Sequence, residues 1–305
     1  MFLEAKDQSQ IYKELLKELS ENLVILADKP HESAENTLQA LWLACSGSPT
    51  PVHSVKNQTL PDLDDQGHQQ LRRLIEKRLS GTPLGHLIGV EQFMELDFKV
   101  DQRALIPRKE TEILGYAVLE RIQMLANQQS NINLIDVCTG MGNLAIAFAF
   151  YQKKTNVWAS DLSEEAIALA RENANWFGLN NRLSFFSGDL LQPLKDKGLE
   201  HSVDVITCNP PYISTAKVEQ MPREISDHEP KMAFNGGSIG LQVVFRLIKE
   251  AIPFLKPGGW LCFEVGLGQG PGLLTWMKKH NHFQRFETAT NAKNEIRAIL
   301  AQTKS

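Results

Sequence analysis

The second half of the chain alternates short β-branched runs with longer stretches whose apolar residues recur at helical spacing. Such alternation is typical of a parallel sheet covered by helices on both faces. It predicts strands at 133–137, 156–160, 183–187, 203–208, 260–265, 283–290 and 296–302. Helices are predicted at 111–127, 144–151, 163–177, 241–254 and 270–279. The link at 291–294 is too short for a crossover helix, so the last two strands should pair antiparallel.

The first part of the chain has a different pattern, with apolar residues at helical spacing over 9–27, 38–44 and 71–79. Ser33 is suited to cap the second of these helices, because a serine side chain accepts hydrogen bonds from free backbone N–H groups. A partly alternating stretch at 91–100 predicts a hairpin-like connector. We therefore expect a helical bundle over 1–90, a connector over 91–107 and an α/β domain over 108–305.

Composition narrows the class of protein. With 305 residues and a formal charge of −4, the chain has no overall attraction for nucleic acid. Its four cysteines form no CxxC pair and have no histidines at zinc-like spacing, so neither a metal site nor a disulfide framework is expected. Charged residues directly follow Met1-Phe2-Leu3, and no apolar run approaches membrane-spanning length. These features favour a cytoplasmic protein without a membrane partner.

The stretch Asn209-Pro210-Pro211-Tyr212 follows a buried-strand pattern and is the strongest candidate for chemistry. Two prolines cannot continue a sheet, and the residue before a proline avoids helical backbone angles. Asn209 should therefore lie in stiff, extended backbone at the carboxyl end of a strand, where ligands of open α/β sheets bind. The Asn209 side-chain carbonyl and the Pro210 backbone carbonyl can accept hydrogen bonds from an NH₂ group, and the Tyr212 ring can pack on a planar group.

Three more loops follow neighbouring predicted strands. The first contains Cys138, Thr139, Gly140, Met141 and Gly142, and glycines there let the backbone approach a ligand closely. Asp161 ends the next strand, where an acidic residue can bind both hydroxyls of a ribose. Its alternative role is to cap a helix, for which Ser163 is better placed.

The last of these loops holds Asp189 and Leu190, in position to contact an adenine ring, although Asp189 can equally cap a short turn. The four loops together predict a nucleoside-bearing cofactor with an amide-type acceptor beside it. The third glycine of a dinucleotide fingerprint is missing, and there is no Walker lysine or nucleophile-elbow motif.

Several motifs in a fixed order resemble the HemK/PrmC family of protein-glutamine methyltransferases. They are Ile106-Pro107-Arg108-Lys109-Glu110-Thr111-Glu112, the 136–142 loop, Asp161, Asn209-Pro210-Pro211-Tyr212, Glu229-Pro230 with Asn235-Gly236-Gly237, and Glu264-Val265-Gly266 with Gln269-Gly270. The resemblance spans about 77–270. It implies a seven-stranded Rossmann-like class I methyltransferase sheet with a small amino-terminal helical bundle, S-adenosyl-L-methionine as cofactor, and a glutamine side-chain amide in a protein as methyl acceptor.

Carried over to this sequence, the resemblance implies roles for individual residues. Cofactor-binding residues would be Cys138, Thr139, Gly140, Met141, Gly142, Asp161, Asp189, Leu190 and Asn209. The glutamine would be bound by Asn209, Pro210, Pro211 and Tyr212, of which Asn209, Pro210 and Tyr212 would be catalytic. Independently of the resemblance, the separate pattern of the helical bundle and the loop composition around 46–65 predict that the bundle selects the protein substrate; its alternative role is packing or dimerisation.

The substrate remains open between two branches of this family. The 107–112 motif favours the branch that methylates the Gly-Gly-Gln loop of peptide chain release factors. Cys138, in place of a usual glycine, resembles the branch that methylates a large-subunit ribosomal protein. Other departures from the family pattern are Lys109, Leu190 and Ile239. Two further alternatives are amino methylation of a nucleic-acid base, which would call for a basic surface, and a non-enzymatic cofactor-binding adaptor.

Overall fold

We describe the protein from a computed structural model, which covers residues 8–26 and 29–304. The helices are α1 Gln8–Asn22, α2 Ala34–Cys45, α3 Asp65–Leu79, α4 Leu84–Ile88, α5 Thr111–Ala126, α6 Asn143–Tyr151, α7 Glu164–Trp176, α8 Thr215–Val218, α9 Arg223–Ser226, α10 Gln242–Ala251 and α11 Gly270–Lys279. The strands are β1 Val90–Phe93, β2 Leu96–Lys99, β3 Ile132–Val137, β4 Thr155–Asp161, β5 Leu183–Ser187, β6 Val203–Cys208, β7 Leu255–Glu264, β8 Phe283–Thr290 and β9 Ile296–Thr303. The chain divides into two compact units, which we describe separately.

The first unit contains the residues up to 92, together with 97–101 and 222–228. Helices α1 to α4 all contribute buried apolar residues to one core, which includes Trp42. The Trp42 indole N–H donates to the Pro61 carbonyl at 2.8 Å, so this large ring is buried without leaving its polar atom unpaired. Ser33 caps α2 by accepting from the Asn36 backbone N–H, as the sequence predicts.

A buried cluster of charges also lies within the first unit. The Arg78 guanidinium donates to Glu32 at 2.7 Å and to Glu224 at 3.0 Å, and Lys29 donates to Glu224 at 2.9 Å. All four side chains are at most 11% exposed. These two cations hold the pKa of Glu224 below its usual value, although burial acts in the opposite direction. Glu224 belongs to α9 and thereby fixes 222–228 within this unit.

The second unit is an α/β domain. Among the described residues, seven strands form its sheet in the order β5-β4-β3-β6-β7-β9-β8. Strands β3 to β7 are parallel, and β9 runs antiparallel between β7 and β8, as expected from the short link before it. Chain order reverses between β3 and β6, which makes the carboxyl ends of these two strands a topological switch point. Val137 and Cys208 are paired there, so Cys138 and Asn209 follow side by side.

Several predicted boundaries were wrong. Strand β7 begins at Leu255 rather than at 260, because Leu255 pairs with Val203 and the strand continues through the Gly258 turn by a register shift. Helix α10 ends at Ala251 rather than at 254, and α1 ends at Asn22. The predicted first helix extended to residue 27, which lies outside the described residues. Helices α4, α8 and α9 are too short to give a periodic signal in the sequence.

None of the described helices is both long enough and apolar enough to cross a membrane.

Candidate active site

A pocket opens at the carboxyl ends of the parallel strands, within the second unit. Of the residues predicted from sequence, it is lined by Cys138, Thr139, Gly140, Asp161, Asp189, Leu190, Asn209 and Pro211. Met141 and Gly142 belong to the same loop but do not line this pocket, and neither do Pro210 and Tyr212 among the described residues. The fold therefore brings residues from four loops, each following a different strand, to one cavity.

The loop after β3 is shaped by backbone in the left-handed region. Cys138, Gly140 and Gly142 have φ angles of 56°, 55° and 83°. A Cβ at Gly140 would meet no atom within 4 Å, so free space lies next to the backbone at this pocket-lining position. A Cβ at Gly142 would instead press on Ile146 and other core atoms at 3.1–3.3 Å. Gly140 therefore leaves room for a ligand, whereas Gly142 permits close packing of the loop on the core.

Asp161 ends β4 and organises two loops. Its carboxylate accepts from the Gly140 N–H at 2.8 Å and from the Ser163 N–H at 2.9 Å. Burial raises the pKa of Asp161, and these backbone hydrogen bonds oppose that rise. Each carboxylate oxygen has two lone pairs, so Asp161 can still accept hydrogen bonds from hydroxyls of a ligand in the pocket. Ser163, as predicted, caps α7 by accepting from the Ala166 N–H.

The loop after β5 carries Asp189 and Leu190 on the pocket wall. One Asp189 oxygen accepts from Arg246 at 2.8 Å, and Arg246 also lines the pocket. Leu190 has a φ angle of 46°, and its carbonyl accepts from the Ser160 hydroxyl at 2.7 Å. Ser160 thus stabilises a backbone conformation that side-chain-bearing residues rarely adopt.

Asn209 is half-buried after β6, and its side-chain amide has a definite partner. Its Nδ2 donates to the Thr111 hydroxyl at 3.1 Å. The Tyr212 hydroxyl donates to Glu264 Oε1 at 2.9 Å, and Arg297 lies 3.3 Å from the same oxygen. Burial and the Glu264 charge raise the pKa of Tyr212, so its phenol stays protonated at neutral pH. Both ends of the motif are therefore tied to side chains of neighbouring elements.

A glycine-rich loop presses on the backbone of the same motif. A Cβ at Gly236 would lie 2.5 Å from the Pro211 carbonyl oxygen, and a Cβ at Gly240 would clash with the Tyr212 carbonyl. The Gln269 side chain donates to the Tyr212 carbonyl at 3.0 Å. Only glycine permits this close approach. Ile239 in this loop is 63% exposed.

Asp136 is the most deeply buried acid of the pocket wall. It is 1% exposed and accepts from the hydroxyls of Thr139 and Thr207, each at 2.6 Å. Burial raises its pKa to about 6, although both hydrogen bonds act against the rise. Asp136 joins the loop after β3 to the strand that precedes Asn209. In the part of the chain that the structure describes, no group of His, Cys, Asp or Glu side chains could hold a metal ion.

The similarity of this chain to known proteins shows the family to which it belongs. Residues 118–241 match the model of the methyltransferase small domain. A release factor glutamine methyltransferase from Moorella thermoacetica is 40% identical over 196 residues, which is 64% of this chain and 66% of that protein. One from Bacillus cereus is 31% identical over 79% of this chain and 83% of its own length. The chain belongs to the family of release factor glutamine methyltransferases. The family and the methyltransferase class predicted from sequence are thereby confirmed.

Solved structures support the fold of this methyltransferase. The catalytic domain of hMettl16, in complex with an RNA hairpin from the MAT2A 3′UTR, aligns with a TM-score of 0.52 at 13% identity. The alignment covers 78% of this chain and 82% of that one. At such low identity the likeness shows the fold alone, and it confirms the predicted α/β class.

The sequence pattern does not indicate several side chains that shape this pocket. Thr111 and Glu264, which are 153 positions apart, stand out in the sequence only as parts of motifs. No local pattern indicates that the Thr111 hydroxyl contacts Asn209 or that the Glu264 carboxylate contacts Tyr212. Glu229 is a third example. It accepts from the Ile106 backbone N–H at 3.0 Å and from the Arg108 guanidinium, and so joins two segments of the pocket wall.

Proposed function

We propose that this chain transfers a methyl group from S-adenosyl-L-methionine to the side-chain amide nitrogen of the glutamine in the Gly-Gly-Gln loop of a peptide chain release factor. The proposal rests on one observation. A single pocket is lined by Gly140 and Asp161, which suit a nucleoside, and by Asn209, which suits an amide. The names of the relatives support a release factor as the substrate.

The pocket residues fit the proposed cofactor. Gly140 leaves open space at its Cα, and Asp161 keeps unused lone pairs for ribose hydroxyls. Leu190 supplies an apolar surface for a base, with Asp189 beside it. Thr139 and Cys138 complete the wall near the β3–β6 switch point. When bound, S-adenosyl-L-methionine supplies an electrophilic methyl group on a sulfonium centre.

The residues of the Asn209 motif would position the glutamine rather than act as a base. An amide nitrogen is a weak nucleophile, because its lone pair is delocalised, so orientation is the main contribution available to the protein. Asn209 Oδ1 and the Pro210 carbonyl would accept the two N–H groups of the glutamine amide. Acceptors at these positions also stabilise the positive charge that develops on nitrogen during transfer. Tyr212 and Pro211 would keep water away from this site.

We further propose that the helical unit recognises the protein substrate, as its separate core suggests. The three-part division over 1–90, 91–107 and 108–305 remains a prediction. A helical bundle with charges of both signs offers a surface for a protein rather than for a nucleic acid.

The test is incubation of the enzyme and methyl-labelled cofactor with purified release factor and, in parallel, with large-subunit ribosomal proteins and with nucleic acid, followed by mass spectrometry of the labelled species. Label on the glutamine of the Gly-Gly-Gln loop supports the proposal, and a release factor with asparagine at that position is the matched control. Label only on a large-subunit ribosomal protein, or only on nucleic acid, would refute the release-factor assignment. Asn209→Ala should lower the single-turnover rate on the order of 10²–10³-fold while the cofactor stays bound.

A further inference from the structure

A tight turn beside the Asn209–Tyr212 motif carries an exposed apolar side chain at its centre. The Gly240 N–H donates to the Gly237 carbonyl at 3.2 Å, which makes Ile239 one of the two central residues of a β-turn. Gly240 is buried against the Tyr212 carbonyl, whereas Ile239 is 63% exposed. Turn centres usually hold glycine, proline or small polar residues, so turn formation itself does not explain an exposed isoleucine at this position.

A second turn, directly after β7, has the same arrangement. The Gln269 N–H donates to the Gly266 carbonyl at 3.1 Å, and the centre of this turn is formed by Leu267 and Gly268. Leu267 is 61% exposed. Gly266 is buried, and a Cβ at this residue would lie 3.1 Å from the Tyr212 ring. Two turns from separate parts of the sequence therefore each place an exposed aliphatic side chain next to a residue that contacts Tyr212.

The side-chain amide of Gln269 holds these two turns together. Its Nε2 donates to the Tyr212 carbonyl at 3.0 Å and, less closely, to the Gly240 carbonyl at 3.5 Å. Its Oε1 accepts from the Gly266 N–H at 2.9 Å. These hydrogen bonds fix both turns to one another and to the Asn209–Tyr212 motif, and they make no use of the two aliphatic side chains.

The same kind of surface reaches the edge of the pocket. Met232 lines the pocket, is 49% exposed, and lies four positions before Gly236 in the segment that leads to the first turn. We call Met232, Ile239 and Leu267 the apolar rim. Single exposed apolar residues are common on protein surfaces, but a group of them beside a pocket is typical of an interaction site.

We propose that the apolar rim binds the segment of the release factor that flanks the target glutamine, and that it selects apolar side chains in that segment. This inference rests on the proposed function and adds to it the residues that choose the substrate. A glutamine whose amide reaches Asn209 brings its neighbouring main chain over the surface beside Tyr212, where the rim lies. The rim contributes binding through burial of aliphatic surface, which is non-directional, whereas Asn209 orients the amide.

The first test measures steady-state methylation of a release factor by Ile239→Gln and Leu267→Gln. Each variant should raise the KM for the release factor on the order of 10-fold, as expected for the loss of one apolar contact with a substrate. The kcat and the cofactor affinity should stay within a few-fold of the parent, because binding lost equally in the ground and transition states changes KM alone. Both side chains are exposed, so circular dichroism should show an unchanged fold.

Met124→Gln is the matched control for these variants. Met124 is another apolar side chain with substantial exposure, 43%, but it lies near the carboxyl end of α5. The distance along that helix from Thr111, which lines the pocket, is about 20 Å. This variant should keep the parent KM and kcat for the release factor.

The second test asks whether the contact is direct. Apolar residues on either side of the target glutamine are changed one at a time to serine in the release factor. At least one change should raise KM with the parent enzyme and have little further effect with Ile239→Gln or Leu267→Gln, because substitutions at residues in contact are not additive. The same change should keep its full effect with Met124→Gln.

The proposal is overturned if both folded rim variants keep the parent KM, or if their losses appear in kcat or in cofactor affinity instead. It is also overturned if no change in the release factor couples to either variant. When the parent methylates the glutamine and the rim variants match it, the rim proposal alone is wrong. A parent protein that leaves the release factor unmethylated refutes the proposed function, and the rim proposal falls with it.

Discussion

Alanine substitutions at three glycines should separate two effects on the Asn209–Tyr212 segment. Gly236 has an ordinary φ angle, but its Cβ would lie 2.5 Å from the Pro211 carbonyl oxygen. Gly178 has a φ angle of 66° and open space around its Cα. Gly240 combines a φ angle of 73° with a clash against the Tyr212 carbonyl. The three variants therefore test, in the same chain, a steric clash alone (Gly236), backbone strain alone (Gly178) and the two effects combined (Gly240).

The magnitudes follow from this geometry. Left-handed backbone costs an alanine about 1–2 kcal/mol, partly offset by the smaller conformational freedom of the unfolded chain. Gly178→Ala should therefore lower the free energy of unfolding by about 1 kcal/mol and leave the methylation rate unchanged. At Gly236 the new Cβ requires the Pro211 carbonyl to move by nearly 1 Å to regain ordinary contact at 3.4 Å. A displacement of this size next to the reacting groups can lower the rate on the order of 10²-fold.

Gly240→Ala should show both losses, in unfolding free energy and in rate. The assays are urea denaturation for stability, and single-turnover methylation of a release factor at saturating cofactor for rate. Circular dichroism first confirms that each variant is folded. If folded Gly236→Ala methylates as fast as Gly178→Ala, the close approach of this loop does not position Pro211 and Tyr212, and the reasoning is wrong.

Three other outcomes are expected. Arg78→Met should cost about 3–5 kcal/mol, because it leaves buried carboxylates without their main cation. Hydrogen exchange of α3 measures the loss, and the exposed Arg73→Met on the same helix should change little. Asp136 has a pKa raised to about 6, so the folded state binds its proton more tightly than the unfolded state does, and its contribution to stability falls as pH rises from about 4 to 6. Denaturation at pH 4 and 7 should show a larger loss of stability in the parent than in Asp136→Asn, whereas equal losses would contradict the burial argument. Asp161→Ala should weaken cofactor binding in a folded protein, and unchanged affinity by calorimetry would exclude the proposed ribose contact.

The sheet was predictable because each strand carries its own local signal. The spans 183–187, 203–208 and 283–290 agree with the observed strands, since runs of β-branched and aromatic residues end there at polar or glycine-containing turns. Strand β7 was harder to predict. Pro257-Gly258-Gly259 resembles a turn, and only pairing of Leu255 with Val203 extends the strand through it.

The site was only partly predictable, for a similar reason. Loops that follow parallel strands must meet at one edge of the sheet, so Gly140, Asp161 and Asn209 could be grouped from their order in the chain. The partners of these residues come from distant segments. Nothing local to Thr111 indicates that it accepts from Asn209, and nothing near Glu229 indicates that it binds the 106–108 segment. Such contacts are set by tertiary packing rather than by sequence pattern.

The charge cluster of the helical unit has a consequence for dissecting the protein. Deleting the amino-terminal helices would remove Lys29, Glu32 and Arg78 but leave Glu224, which lies only 12 positions after Tyr212. An orphaned carboxylate that was buried must regain water or a proton, so the excised catalytic fragment would rearrange 222–228 for reasons unrelated to substrate recognition. A second truncated fragment should therefore also carry Glu224→Gln, which removes the orphaned carboxylate. The difference between the two fragments then reports the effect of the orphaned carboxylate, and the difference between the Glu224→Gln fragment and the full chain reports what the helices contribute to choosing the substrate.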